Sequence, residues 1–170
     1  MLLSIDSFLN ESECLELLCI AYSATEEEWS DKSNPQGGIW EKNRLPIKFE
    51  LPLLKLVNKR VASYFCDYSH ILNIDSILRF TEGGFMAEHK DDETGVTNFG
   101  CVIYLNENFD GGELVYPNLN KFLKPIAGSL VVHDSNEPHM VNTITKGTRY
   151  MLTTFVFGTK DKRTSLNYDS

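Results

Sequence analysis

Nothing in this 170-residue chain approaches the ~18 consecutive apolar residues that a membrane-spanning helix needs. The opening MLLSIDSFLNESE has neither a basic n-region nor a small-residue cleavage site, so the sequence reads as unexported and cytoplasmic. Lysine and arginine do not cluster outside Lys160-Asp161-Lys162-Arg163, and the net charge is −8. A nucleic-acid partner therefore lacks its electrostatic footprint. Cys14, Cys19, Cys66 and Cys101 form no C-x-x-C pair. They are expected to be reduced thiols, with Cys14, Cys19 and Cys101 placed among core-forming neighbours. No internal repeat or low-complexity segment is evident. Histidine is scarce at four residues, which makes the setting of each one informative.

What is present is a foldable composition, 42% hydrophobic and 11% aromatic, of a size suited to one domain over 1–170. The first part, 1–75, reads as helical support. Asn10 is placed to cap a helix with Leu15, Leu17, Leu18 and Ala21 on its apolar stripe, and a second helix is expected from Leu51 to Tyr68. Between them, residues 23–48 lack periodicity and form either a long loop or a pair of short strands. This segment is a candidate substrate lid, or else a surface excursion with Trp40 folded onto the core. Glu26 to Glu28 read as a solvated face, or as acid favouring a basic substrate.

From Ser76 the pattern becomes short strands separated by Gly-containing turns: Ile77–Phe80, Phe85–Glu88, Phe99–Leu105, Glu113–Tyr116, Phe122–Lys124, Ser129–His133, Met140–Ile144 and Arg149–Phe157. The expected class is α+β, mainly β: a double-stranded β-helix, or cupin-like jelly roll, over 76–158, backed by the N-terminal helices and followed by a polar tail at 159–170.

His89-Lys90-Asp91 ends one predicted strand. Residues i and i+2 of an extended segment share a face, so this imidazole and carboxylate can address one ion. His139, behind Pro138, opens a later strand and is the candidate third ligand. Two histidines and one carboxylate leave open positions of the kind non-haem Fe(II) oxygenases use, although a zinc hydrolase could employ the same side chains. Arg149 enters a strand, which is costly unless it meets an anion, and alternation puts it on a face with Met151, Thr153 and Phe155. A guanidinium fork there suits a small carboxylate. His133 reads as a pocket-lining or a structural residue.

Over about Leu78 to Phe157 the sequence resembles the Fe(II)/2-oxoglutarate dioxygenases, in particular the prolyl 4-hydroxylase-like branch. The resemblance rests on Phe80-x-x-Gly83-Gly84-Phe85-x-x-x-His89-x-Asp91, Tyr104-Leu105-Asn106, Gly111-Gly112-Glu113-Leu114, Pro125-x-x-Gly128, Pro138-His139 and Gly147-x-Arg149-Tyr150. It implies that His89, Asp91 and His139 ligate Fe(II) and that Arg149 binds the distal carboxylate of 2-oxoglutarate. It also implies O2 as second cosubstrate, with ascorbate as an accessory reductant. Tyr104 matches a tyrosine that hydrogen-bonds the same carboxylate, and is otherwise a core aromatic. The chain departs from the branch at Phe80, where a tyrosine is usual, and at Met86. Relatives that transfer halide lack the carboxylate, so Asp91 points to hydroxylation.

The implied activity is hydroxylation of a prolyl residue in a peptide or protein, coupled to decarboxylation of 2-oxoglutarate to succinate and CO2. A free amino acid or another small-molecule metabolite is the alternative substrate. A non-catalytic cupin-like metal-binding or sensor module is the alternative of another class.

Overall fold

The computed structural model of the chain describes residues 1–31, 38–39, 42–48, 50–68, 70–92 and 96–158. Asn34 to Gly37 and Trp40 of the candidate lid, and the tail 159–170, lie outside the described residues.

Helix α1 (Glu11–Ser23) starts on a reciprocal capping box. The Glu13 N–H donates to Asn10 Oδ1 and the Asn10 N–H to Glu13 Oε2, both at 2.9 Å, so two otherwise orphaned donors are satisfied. Cys14, Leu17, Leu18 and Ala21 form its buried face. Leu15 and Cys19, expected in the core, are instead exposed. They lie four residues apart on a different face of the helix from the buried set. Helix α2 (Pro52–Tyr64) buries Leu53, Leu54, Val57 and Val61 and stops short of the expected Tyr68. Phe65 leaves the helix with φ −120° and ψ 31°, which lets its ring stack on Phe99 at 6.0 Å between centroids.

The strands, in chain order, are β1 (Leu2–Ile5), β2 (Gly38–Ile39), β3 (Arg44–Pro46), β4 (His70–Ile71), β5 (Ser76–Phe80), β6 (Phe85–His89), β7 (Thr97–Tyr104), β8 (Asp110–Gly111), β9 (Leu114–Tyr116), β10 (Lys121–Leu123), β11 (Leu130–Asp134), β12 (His139–Val141), β13 (Ile144–Lys146) and β14 (Arg149–Phe157). The larger sheet runs β1-β11-β7-β14-β5-β3, with β4 also on β14. The smaller runs β10-β9-β12-β6-β2, and β13 pairs with β8 as a separate ribbon. Every pairing is antiparallel. This is the expected jelly roll backed by helices.

Alternation along the strands of the larger sheet sorts its side chains into two cores. Ile77, Ile103, Val132 and Leu152 join the helices in one, while their neighbours Leu78, Tyr104, Val131 and Met151 join Leu114, Tyr116 and Val141 of the smaller sheet in the other. The helices thus cover one face, leaving the space between the sheets for the site.

Two strands differ from the sequence reading, each because of the strand it pairs with. Strand β1 was not anticipated; it pairs Leu2 with His133 and Ile5 with Leu130 at the sheet edge. The segment 23–48 carries two short strands, β2 and β3, the second of the two expected alternatives. The expected strand Met140–Ile144 is two strands, because β13 turns away to pair with β8. There the backbones cross so closely that a Cβ on Gly111 (φ +77°) would lie 2.1 Å from the Thr143 carbonyl oxygen. Among the described residues no helix is long and apolar enough to cross a membrane.

Candidate metal centre and adjoining anion pocket

His89 closes β6 and His139 opens β12, and the two strands pair with these residues in register. Their ring centroids are 4.3 Å apart. Asp91 follows His89 at a turn held by its own N–H, which donates to the Ser135 carbonyl at 2.9 Å. Asp91 Oδ1 then lies 3.7 Å from His89 Nε2 and 3.6 Å from His139 Nε2. One ligand atom from each of the three residues falls within 4.8 Å of the others.

The hydrogen bonds explain what these atoms can do. His89 Nδ1 pairs with the Ala87 carbonyl at 2.8 Å and His139 Nδ1 with the Glu137 carbonyl at 2.9 Å. A carbonyl only accepts, so each Nδ1 carries a proton, and in the neutral ring Nε2 then presents a lone pair. Burial and the neighbouring His133 push the His139 ring down to about 4, against the pull of Asp91, so it is neutral at pH 7. Burial raises the Asp91 carboxyl, but the hydrogen bond from His133 and the nearby imidazoles outweigh it and leave Asp91 below the usual carboxylate value. Two imidazole lone pairs and an anionic oxygen therefore converge at separations too long for hydrogen bonds. A cation fits among them, and the N2O donor set suits iron or zinc.

Arg149, at the start of β14, is 1% exposed, and its pairing with Phe80 turns it into the space between the sheets. Asn106 sets this entry: its side-chain N–H donates to the Thr148 carbonyl at 2.8 Å, and its Oδ1 accepts from the Tyr150 N–H at 2.8 Å. The guanidinium lies 5.3 Å from the Phe80 ring centroid and 4.9 Å from that of Tyr104. Among the described residues it donates to the Gly112 carbonyl at 3.0 Å and to Met151 Sδ at 3.1 Å. Arg149 Nε and the Tyr104 hydroxyl are buried with no partner among the described residues. Burial raises the Tyr104 phenol despite Arg149 beside it, so the hydroxyl keeps its proton and remains a donor. A buried cation with donors to spare is costly, and a small dianion would satisfy it.

The residues that sequence reasoning placed at the site are thus brought together as two clusters in the same inter-sheet space. Two partners were not recognised there. His133 Nε2 bonds Asp91 Oδ2 at 2.8 Å, and the Tyr116 hydroxyl bonds His133 Nδ1 at 2.9 Å. The signal available for His133 was alternation in β11, which puts it on the inward face with Val131. Nothing in the sequence singled out Tyr116. Glu26, weighed as an attractor for a basic substrate, instead forms an ion pair with Arg79.

Residues 76–157 match the sequence profile of the 2OG-Fe(II) oxygenase superfamily. Three solved structures share the fold. A Trichoplax adhaerens prolyl hydroxylase, in complex with a hypoxia-inducible-factor oxygen degradation domain peptide fragment, is 20% identical with a TM-score of 0.75, the alignment covering 99% of this chain and 87% of that one. A Pseudomonas putida prolyl-4-hydroxylase is 20% identical with a TM-score of 0.70, covering 93% and 92%. The viral collagen prolyl hydroxylase of Paramecium Bursaria Chlorella virus-1, in its 2OG complex, is 17% identical with a TM-score of 0.69, covering 94% and 96%. No curated protein matches the chain by sequence.

Proposed function

We propose, from the match of residues 76–157 to the profile of the 2OG-Fe(II) oxygenase superfamily, that the chain is a dioxygenase of that superfamily using Fe(II), 2-oxoglutarate and O2, and that it hydroxylates a prolyl residue in a peptide or protein. In this reading His89, Asp91 and His139 hold the iron. Arg149 and the Tyr104 hydroxyl receive the distal carboxylate of 2-oxoglutarate. Bound iron and the keto acid supply the oxidising chemistry, coupling C–H hydroxylation to release of succinate and CO2.

The chain's own residues bind, orient and exclude water. Phe80, Tyr104, Leu114 and Met151 make a dry wall around the guanidinium, where a charge-assisted hydrogen bond is strongest. Phe80 offers no hydroxyl, so Tyr104 is the aromatic that contributes a hydrogen bond. The strand β2, which pairs Gly38 with Met86 and Ile39 with Phe85, puts these two residues of the 23–48 segment at the edge of the smaller sheet, beside the strand that ends in His89. That segment is our candidate for substrate contact, with 1–75 supporting the catalytic 76–158.

The observation that carries the cosubstrate assignment is the buried Arg149, whose Nε, like the neighbouring Tyr104 hydroxyl, has no partner among the described residues. The prolyl assignment is supported by the prolyl hydroxylases that share the fold, one of them holding a peptide. The test is succinate formation, supplied with Fe(II), 2-oxoglutarate and ascorbate, on proline-containing peptides against free amino acids. Stoichiometric hydroxyproline in the peptide is expected. Turnover of a free amino acid alone would replace the peptide substrate. Iron binding without any decarboxylation of 2-oxoglutarate would point to a binding module.

A further inference from the structure

We propose that Tyr116 and His133 are positioning residues: a buried relay that occupies Asp91 Oδ2, so that Asp91 offers a metal Oδ1 alone. The proposal rests on the iron-site reading above and adds two residues to it.

Three observations carry it. The first is continuity. The Tyr116 hydroxyl lies 2.9 Å from His133 Nδ1, and His133 Nε2 lies 2.8 Å from Asp91 Oδ2. A phenol is protonated at neutral pH, and burial raises Tyr116 further, so its O–H donates to Nδ1. In the neutral ring the remaining proton then sits on Nε2 and is donated to the carboxylate. The second is enclosure. Tyr116 is 0% and His133 1% exposed, so water does not compete for either bond. The third is the floor beneath the pair. Gly100 of β7 lies opposite His133 in the larger sheet, and a Cβ there would stand 2.1 Å from Asp91 Oδ2 and 2.6 Å from His133 Nε2. Backbone is pressed against this hydrogen bond, and any side chain at position 100 would displace it.

The two oxygens of Asp91 thereby have separate tasks. Oδ1 sits 3.6–3.7 Å from the two free Nε2 atoms, and Oδ2 is committed to His133. A carboxylate held this way contributes one bond and keeps coordination positions open for cosubstrate and O2. Partners of this kind orient a ligand and are worth about 10- to 100-fold in metal affinity.

The experiment titrates the full chain, freed of metal, with Fe(II) anaerobically and with Co(II), whose visible absorption reports coordination; circular dichroism follows the fold. His133→Phe, which keeps an aromatic ring without the donor, is expected to weaken Co(II) binding by about 10- to 100-fold and to change its absorption. His133→Gln, whose amide N–H can reach Oδ2, should recover most of the loss. Tyr116→Phe deletes a single oxygen and should cost about tenfold, the lower end of that range. If His133→Phe fails to fold, Tyr116→Phe decides the matter. Wild-type affinity in both Tyr116→Phe and His133→Phe would overturn the relay while leaving the iron site intact. Equal loss in His133→Gln and His133→Phe would overturn it too, assigning His133 to packing. A wild-type chain that takes up no Fe(II) would overturn the iron reading and the relay together.

Discussion

Two arginines sit on opposite faces of the larger sheet, one residue out of step on neighbouring strands, and their surroundings differ. Arg79 pairs across β5 and β14 with Tyr150, on the face covered by the helices; Arg149 pairs with Phe80, on the face between the sheets. Arg79 is saturated. It makes two hydrogen bonds to the Glu26 carboxylate at 2.9 and 2.6 Å, donates from Nε to the Lys42 carbonyl at 3.0 Å, and stacks 4.0 Å over the Trp29 ring. Arg149 is more deeply buried and has a carbonyl, a thioether and two aromatic faces, with no carboxylate among the described residues. The same side chain on one sheet is a fastener where the protein supplies the anion, and in our proposal a receptor where it does not. The comparison predicts that substitutions between the sheets remove function and spare folding, and that substitutions under the helices do the reverse.

The largest expected effect is on the metal. His139→Ala should abolish Fe(II) binding and 2-oxoglutarate turnover together, read by anaerobic titration and succinate release, with the apoprotein still folded. Next comes Arg149→Met. Replacing a charge-assisted contact worth ~1.5–3 kcal/mol should weaken 2-oxoglutarate about 10- to 100-fold in a binding titration. Its melting temperature without ligand should be unchanged or raised, because an under-paired buried cation gives way to an apolar side chain. Unchanged 2-oxoglutarate affinity would sink the assignment of Arg149.

Arg79→Met should show the opposite signature: 2-oxoglutarate affinity as in wild type, and a melting temperature lowered by about 2–4 °C, the equivalent of ~1 kcal/mol from the lost stacking on Trp29. The smallest effect belongs to a third arginine. Arg60 holds Glu13 at 2.6 and 2.9 Å, joining α2 to α1. The Arg60 hydrogen bond, against burial and with the Asn10 N–H assisting, keeps the Glu13 carboxyl below its usual value. A lowered folded value means the stabilisation is complete above the unfolded value near ~4.3 and is lost as the pH falls through the folded one. Glu13→Gln preserves the capping box. It should cost about 0.5 kcal/mol at pH 7 in denaturant melts, with the gap closing as the pH drops below the folded value.

The candidate site residues were legible in the sequence because their signals are local. His89 and Asp91 share a face by strand alternation alone, Asn10 and Glu13 announce a helix start three residues apart, and an arginine entering an apolar strand asks for an anion wherever the strand lies. The boundaries it missed were set by partners distant in the chain. Helix α2 ends early because the Phe65 ring packs on Phe99, and β1 forms because β11 offers an edge. His133 illustrates the division most sharply. Its place in β11 indicates an inward face, but its task depends on Asp91, 42 residues earlier, and on Tyr116, 17 residues earlier. By itself, then, the sequence determined the donor types, the jelly-roll pattern and the buried cation. Only the tertiary structure decided that one arginine met Glu26 and the other met no carboxylate among the described residues, and that one oxygen of Asp91 was taken by His133 while the other faced the two histidines. Hydrogen bonds reach about 3 Å, and which groups come within that reach is set by how the sheets pack.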